Sequence, residues 1–531
     1  MLSSTAPPVL ASVSSSNPSL RTRSLIAVGS KSYSEEQLPV KPGESTTEWP
    51  ETLVTKSVSG DPQVLSNNER TFEYVFNDEP RLYVPGSEEE KKLLRLIDLH
   101  MFPCICGLYL LNYLDRSSIA NARIGGMAQD LNLSSSDYSL AVLIFFVGYL
   151  LAEIPSNMLL TKVRPSLFLP LITFSWGLVA TLLSAVQTKE GLVGVRFVLG
   201  FVESGFFPGV IFLLSSWYRK TELAKRIGFL YTAGILSGAF GGLISGGVIS
   251  GLDEARGIRG WRWLFIIEGS ITLLASIVAV FFLPDWPSNT KWLSAEQQAL
   301  AVARVAADKP TNSHREEPLT HIQAFKAAVT DWRIYIFCFM YLMILSAATI
   351  SYFLPTISTT LGYTGQTAQF MTVPFYICAC TAILGVSLSA DYFQDRVYHV
   401  AIPTAIAGAM YATCAGVETP AARYALICIG FAANYGSLPV ALAWLSKEIG
   451  HPDSKRAVAT AIVNTVANSS SIYGSFLWSN GPQFTLGFSV TSSFCFSCAI
   501  LTVIGNFFLT KKYRYSFIDR IIEIPRKEAE K

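Results

Sequence analysis

The sequence predicts an all-α membrane protein with twelve transmembrane helices in two pseudo-symmetric six-helix bundles. Three observations carry this. Half of the 531 residues are apolar and 15% are charged, with a mean hydropathy of +0.37, whereas a soluble protein carries about 25% charged residues. The apolar residues gather into twelve runs long enough to cross a bilayer, six on each side of a polar stretch at 284–330. The two sets also repeat. Arg196 precedes Trp217 by 21 residues, and Arg423 precedes Trp444 by 21. A proline lies inside each interval (Pro208, Pro439), and a Lys-Arg pair follows each (Lys225-Arg226, Lys455-Arg456). Repeats in corresponding spans of two six-helix halves mark secondary transporters, whose substrate sites lie between the halves near mid-membrane.

Residues 1–92 read as a disordered cytosolic tail, rich in Ser and Pro and without an apolar run. Its first 34 residues lack Asp and Glu but contain Arg21, Arg23 and Lys31, a weak likeness to a transit peptide. The missing amphipathic Arg pattern favours a solvated tail. No secretory signal is read, so the first span is expected to act as its own insertion signal. Residues 88–98 turn charged and helical. Spans 1 to 6 are expected near 99–121, 138–160, 166–187, 192–216, 226–250 and 262–283. Spans 7 to 12 are expected near 333–357, 367–390, 399–417, 422–445, 457–478 and 486–510. The domains are then a first bundle at 93–284, a cytosolic loop at 285–330, a second bundle at 331–510 and a cytosolic tail at 511–531.

Lys and Arg in short loops set orientation. The loops after spans 2, 4 and 10 carry Lys162 and Arg164; Arg219, Lys220, Lys225 and Arg226; and Lys447, Lys455 and Arg456. The other face has Arg123 after span 1, Lys189 after span 3 and none after spans 7 and 11. The loop after span 5 breaks the pattern with Arg256, Arg259 and Arg262. Both termini and the central loop are therefore expected in the cytosol. A glycosylation sequon at Asn132 agrees with this. Glycines 234, 238, 242 and 246 bare one face of span 5, where another helix can approach closely.

The charges inside the first-half spans are few: Asp115, Arg116, Glu153, Arg196, Glu203 and Glu268. Ionisable residues inside a membrane are expensive and default to functional sites. Asp115 and Arg116 lie in the polar island Asn112-Tyr113-Leu114-Asp115-Arg116 of span 1. Arg196 and Glu203 share a face of span 4, two turns apart. An arginine binds a carboxylate in two-pronged fashion, and a buried acid readily takes a proton. Together these groups suit coupling of a small organic anion to a proton. Glu153 and Glu268 read as gating or structural ion-pair residues. The nine cysteines lie in apolar segments and read as packing residues, including the CxxC of Cys495 and Cys498. A net charge of +2 and the lack of a basic arm exclude a nucleic-acid partner. No phosphate-binding glycine loop, His-Glu-x-x-His or Gly-x-Ser-x-Gly is present, so no enzyme, cofactor or metal is expected.

At these residues the chain resembles the major facilitator superfamily, and within it the anion:cation symporter family. The likeness runs from Glu89 to Arg514. It rests on Asn112-Tyr-Leu-Asp-Arg116, Glu153-Ile-Pro-Ser-Asn157, Arg196-Phe-x-Leu-Gly200, Glu203-x-Gly-x-Phe-Pro208-Gly209, Ser216-Trp-Tyr-Arg219 and Gly260-Trp-Arg-Trp-x-x-x-x-Glu268-Gly269. It is most similar to fungal permeases for allantoate, nicotinate and pantothenate. The resemblance implies the major facilitator fold, alternating access, a monomer and a plasma-membrane location. It implies that Arg116 holds the substrate carboxylate and that Asp115 and Glu203 take protons. Arg196 would pair with Glu203 or help bind the anion. Tyr113 and Tyr149 are similar to cavity tyrosines, and Asn434 is a candidate ligand from the second half. The loop after span 2 lacks the acid and glycines usual in the superfamily, which leaves that gating contact open. Its counterpart after span 8, with Asp391 and Arg396, is better kept. The alternative is a proton-driven exporter. Exporters of this superfamily tend to carry Gly-Pro-x-x-Gly-Gly in span 5, where this chain has Ser237-Gly238-Ala-Phe-Gly241-Gly242, without the proline.

The orientation has a direct check. Cysteines placed at Ser87 and Ser294 should resist impermeant thiol reagents in whole cells and react after permeabilisation. Labelling of intact cells at either position would overturn the assignment.

Overall fold

The computed structural model describes residues 72–76, 79–160, 163–307, 321–449, 453–479 and 481–529. The expectations for residues 1–71 lie outside these. In the first half, span 1 is Phe102–Ala122, span 2 Ser135–Leu160 and span 3 Pro165–Leu182. Span 4 is split into Lys189–Glu203 and Phe206–Trp217, span 5 is Lys220–Gly251 and span 6 Gly260–Phe282. In the second half, span 7 is Trp332–Ala348 continued by Leu354–Thr360, and span 8 is Gly365–Phe370 with Val373–Phe393. Span 9 is Tyr398–Gly416 and span 10 Pro420–Glu448. Span 11 is Asp453–Asn468 with Ser470–Gly474, and span 12 lies in Thr485–Ala529.

Among the described residues, ten helices are long and apolar enough to cross a membrane. Spans 9 and 11 fall short of that measure. Span 9 opens on Tyr398-His399 and holds Pro403, and span 11 is interrupted at Ser469. Both still occupy their expected places, span 9 against spans 10 and 12 and span 11 against span 7. The helix of span 12 runs on to Ala529, past its expected end at 510.

The tail expected to be featureless up to residue 92 is structured before that point. Strand β1 (Phe72–Phe76) pairs antiparallel with β2 (Glu79–Tyr83), Phe72 opposite Tyr83. The helix Glu88–His100 follows, capped by Ser87, whose side chain accepts from the Glu90 N–H at 3.2 Å. The pairing is held by charge as well as by backbone. Tyr83 donates to Glu90 Oε1 at 2.6 Å. Arg304, fully buried on the loop helix Ala295–Ala307, donates Nε to the same oxygen at 2.9 Å. Its Nη2 donates to both oxygens of Glu222 at 2.8 and 2.6 Å, and its Nη1 to the Trp217 carbonyl at 3.3 Å. One guanidinium thus ties the hairpin segment, the central loop and the turn between spans 4 and 5. The expected loop at 285–330 carries a second helix, His321–Val329, which leads into span 7, and residues 308–320 of it lie outside the described residues.

The repeat seen in sequence has a structural purpose. Asp98, just before span 1, accepts from Arg226 Nε at 2.8 Å and Nη2 at 2.6 Å. Asp331, just before span 7, accepts from Lys455 Nζ at 2.7 Å and Arg333 Nη2 at 2.6 Å. Each acid precedes the first span of its half, and Arg226 and Lys455 head the fifth spans, while Arg333 stands on span 7 itself. Burial alone would push the Asp331 carboxyl up, but the bonds from Arg333 and Lys455 hold it well below the usual carboxylate range. Its pairs therefore stabilise the bundle at neutral pH and are lost only as the pH falls far below that range.

Removing Arg304 should expose the cost of this arrangement. Arg304→Ala takes from Glu222 its two-pronged partner and leaves Glu90 with the more distant Arg219 at 3.5 Å, a loss of about 3–5 kcal/mol for a buried pair. The expected result is a lower thermal unfolding temperature for the purified protein and faster protease cleavage of the central loop.

Candidate substrate site between the two halves

Span 4 breaks at Ser204-Gly205, and Glu203 ends its first segment. A Cβ at Gly205 would lie 1.8 Å from Ser156 Oγ, and one at Gly200 would lie 2.0 Å from the Phe145 carbonyl. Only glycine lets spans 2 and 4 approach this closely. That contact presents Phe145 and Tyr149 to the neighbouring span 1.

Arg116 of span 1 and the fully buried Glu203 form a salt bridge through Nε and Oε1. The Arg116 guanidinium is caged by rings, with centroids at 5.2 Å for Tyr113, 5.4 Å for Phe145 and 4.9 Å for Tyr149. Cation–π contact of this kind stabilises a desolvated cation by about 2 kcal/mol or more. Glu203 Oε2 and the Asn112 side-chain nitrogen, both buried, have no hydrogen-bond partner among the described residues.

Arg196 does not pair with Glu203. Seven residues along a helix is about 10 Å of rise, too far for a salt bridge. Its Nε donates instead to the Ala141 carbonyl at 3.4 Å, and its guanidinium sits 4.9 Å from the Phe145 ring centroid. Asp115, one residue before Arg116, points elsewhere because successive helical side chains diverge. Its Oδ2 accepts from Trp176 Nε1 at 3.0 Å and Thr272 Oγ1 at 3.3 Å, between spans 1, 3 and 6. Glu268 is buried in the same region, and Glu153 is half-buried at the far end of span 2. Asn434 is fully buried and donates to the Ile344 carbonyl at 3.1 Å, tying span 10 to span 7. Asp391 is exposed, and Arg396 donates to the Ala443 carbonyl of span 10. The structure thus brings Tyr113, Arg116, Tyr149 and Glu203 together and leaves Arg196, Asn434, Asp391 and Arg396 outside that group.

Sequence reasoning missed the aromatic wall. Tyr231 of span 5 packs on Phe207 of span 4 with ring centroids 6.0 Å apart, Tyr352 of span 7 on Phe146 of span 2 at 5.8 Å and Tyr435 of span 10 on Phe431 at 4.4 Å, and Tyr341 of span 7 is buried. Tyrosines usually crowd the ends of membrane spans. Their occurrence well inside spans was the available signal.

The halves meet through spans 5 and 8 and spans 2 and 11. Tyr138 donates to the Tyr352 carbonyl at 2.8 Å and Ser139 to the Ser475 carbonyl at 2.9 Å. Gln369 accepts from Ser245 at 3.1 Å and donates to the Asn121 carbonyl at 3.0 Å. These contacts close the face that bears the loop between spans 1 and 2. The glycine face of span 5 lies there against span 8.

The family model described as Major Facilitator Superfamily matches residues 105–475. The MFS transporter prlL of a fungal species (Fungal sp.) is 34% identical over 373 residues, covering 68% of this chain and 74% of that protein. The MFS-type transporter cnsO of Penicillium expansum is 34% identical over 442 residues, covering 80% and 84%. A crystal structure of a bacterial homologue of the human lysosomal transporter Spinster, inward-facing and occupied, aligns with a TM-score of 0.59 at 14% identity. It covers 81% of this chain and 98% of its own, a likeness of fold.

A Cβ at Gly242 would lie 2.4 Å from Thr372 Oγ1 and 2.9 Å from the Gln369 carbonyl. Gly242→Val should therefore wedge this face open. A cysteine at Ser117, protected from impermeant thiol reagents outside intact cells, should become labelled in that background.

Proposed function

This chain belongs to the Major Facilitator Superfamily, and on that premise we propose that it takes up a small organic anion together with a proton. It is a multi-pass membrane transporter and not an enzyme. The finer reading is an anion:cation symporter for a vitamin or carboxylate such as nicotinate, pantothenate or allantoate, acting as a monomer in the plasma membrane with both termini cytosolic. In that orientation, the closed face is the outer one.

The observation that carries the reading is the Arg116–Glu203 pair inside its aromatic cage, beside the second half. A guanidinium offers five donors in a planar fork, and a substrate carboxylate fits it in two-pronged fashion. Glu203 competes for the same fork. A proton on Glu203 removes the competitor and restores charge balance once the anion is bound. Anion and proton then load together, and the halves rock about the occupied site. Tyr113 and Tyr149 hold the guanidinium in place. Asp115 is the second acid that binds a proton, and Arg196 supports the cage through Phe145. Glu153, Asp391 and Arg396 serve the gates at the span ends, and Asn434 braces spans 7 and 10.

Two substitutions test this in sealed vesicles. Arg116→Lys keeps the charge but loses the fork, so substrate affinity should fall about tenfold to a hundredfold, from a charged hydrogen bond contributing about 1.5–3 kcal/mol. Glu203→Gln should retain substrate binding and counterflow exchange while losing uphill uptake driven by an inward proton gradient. Uphill uptake that persists in Glu203→Gln with a normal response to pH removes Glu203 from the coupling role. Net proton-driven efflux in the wild type would instead favour the exporter.

A further inference from the structure

Behind the aromatic cage lies a second group of acids that the competition between Glu203 and substrate does not use. Asp115 is 3% exposed and Glu268 is 2% exposed. Glu268 lies one turn before Thr272 on the same helix, and Thr272 donates to Asp115 at 3.3 Å, which makes the two buried acids neighbours between spans 1 and 6. Both Glu268 carboxyl oxygens lack a hydrogen-bond partner among the described residues. Ser118 does not supply one, because its hydroxyl donates to the Leu114 carbonyl at 2.8 Å. The next residue, Gly269, is pressed so closely on span 3 that a Cβ would lie 2.1 Å from Thr181 Oγ1.

The charged groups around this pair come from span 4, where Glu203 and Arg196 face Asp115. Span 3 presents Trp176 and Thr181, and the membrane body of span 5 presents Tyr231 as its ionisable side chain. Arg116 is committed to Glu203, and Arg196 to the Ala141 carbonyl and the Phe145 ring. Two guanidiniums thus stand against the three buried carboxyls of Glu203, Asp115 and Glu268, which leaves one carboxyl without a cation, and neighbouring carboxyls meet that by sharing a proton.

We propose that Asp115 and Glu268 form a second proton-binding position, a carboxyl–carboxylate pair that holds one proton behind the anion site. This rests on the proton-coupled reading and adds Glu268 to it. Asp115 precedes Arg116 on the same helix. The charge of the pair therefore acts on the cage, and release of the shared proton places a new negative charge next to the anion-binding guanidinium. Anion release is favoured when that happens. Span 7, the counterpart of span 1 in the second bundle, carries no acidic side chain among its described residues Trp332–Thr360.

Infrared spectroscopy of the full-length protein in lipid nanodiscs tests the pair without transport. In a Glu203→Gln background, which removes the other central acid, the carbonyl band of a protonated carboxyl should titrate with pH in two steps. Adding Glu268→Gln should reduce this to a single step, adding Asp115→Asn should do the same, and the combined variant should lose it. Glu268→Asp should restore two steps, which a merely structural role would not produce. A titration unchanged by Glu268→Gln overturns the proposal, as does removal of the band by sodium at constant pH. In vesicles, Glu268→Gln on the otherwise natural chain should lower the protons carried per anion by one while anion affinity is retained. If wild-type uptake ignores the proton gradient, the coupled reading fails, and the infrared titration still decides whether the pair holds a proton.

Discussion

A guanidinium held away from water has to be balanced where it sits, and the first bundle is built around that constraint. Arg116 is balanced by one carboxylate and three ring faces, drawn from spans 1, 2 and 4. Each partner depends on backbone geometry. Glu203 sits where span 4 breaks, and the break coincides with the glycine that lets span 4 touch span 2. A side chain at that glycine would separate the spans and withdraw Phe145 and Tyr149 from the cation. The packing of small residues and the electrostatics of the site are one problem solved together.

The two halves are held differently from the interior of each half. Within the first half, helix ends are locked by buried ion pairs, with Arg304 reaching three segments of chain. Within each half, an acid before the first span grips a base at the fifth. Between the halves, the described polar contacts at the closed face are neutral hydrogen bonds, several of them to backbone carbonyls. Neutral bonds of this kind contribute about 1 kcal/mol each. Stiff bundles joined by a modest, tightly fitted surface suit a protein that rocks one half against the other.

The resident negative charge around Arg116 also explains the arrangement of the other acids. Glu203 competes for the cation, whereas Asp115 turns toward Trp176 of span 3 and Thr272 of span 6, with Glu268 one turn before Thr272. Adjacent residues on one helix thus separate two kinds of acid, one that answers to the guanidinium and one that answers to its own neighbour. Side-chain divergence along a helix is enough to produce this division.

Much was legible in the sequence. Hydrophobic run length alone placed most of the twelve spans, because a bilayer core imposes a minimum length. The repeated Lys-Arg pairs marked the fifth span of each half, since a charge at a helix head needs an acid near it. Composition identified Arg116 and Glu203 because buried charges are rare in such spans. The hairpin 72–83 was not legible, since its strands are stabilised by Glu90 and by Arg304, more than two hundred residues away in the chain. The weak spans 9 and 11 owe their place to neighbours more than to their own apolarity. The sequence by itself determined how many times the chain crosses and which charges lie inside, because both follow from transfer between water and lipid. Which acid meets Arg116, which way Asp115 faces and which tyrosines line the meeting of the halves were decided only by tertiary structure. Those depend on the rotation and close approach of helices distant in sequence, and a linear pattern does not encode them residue by residue.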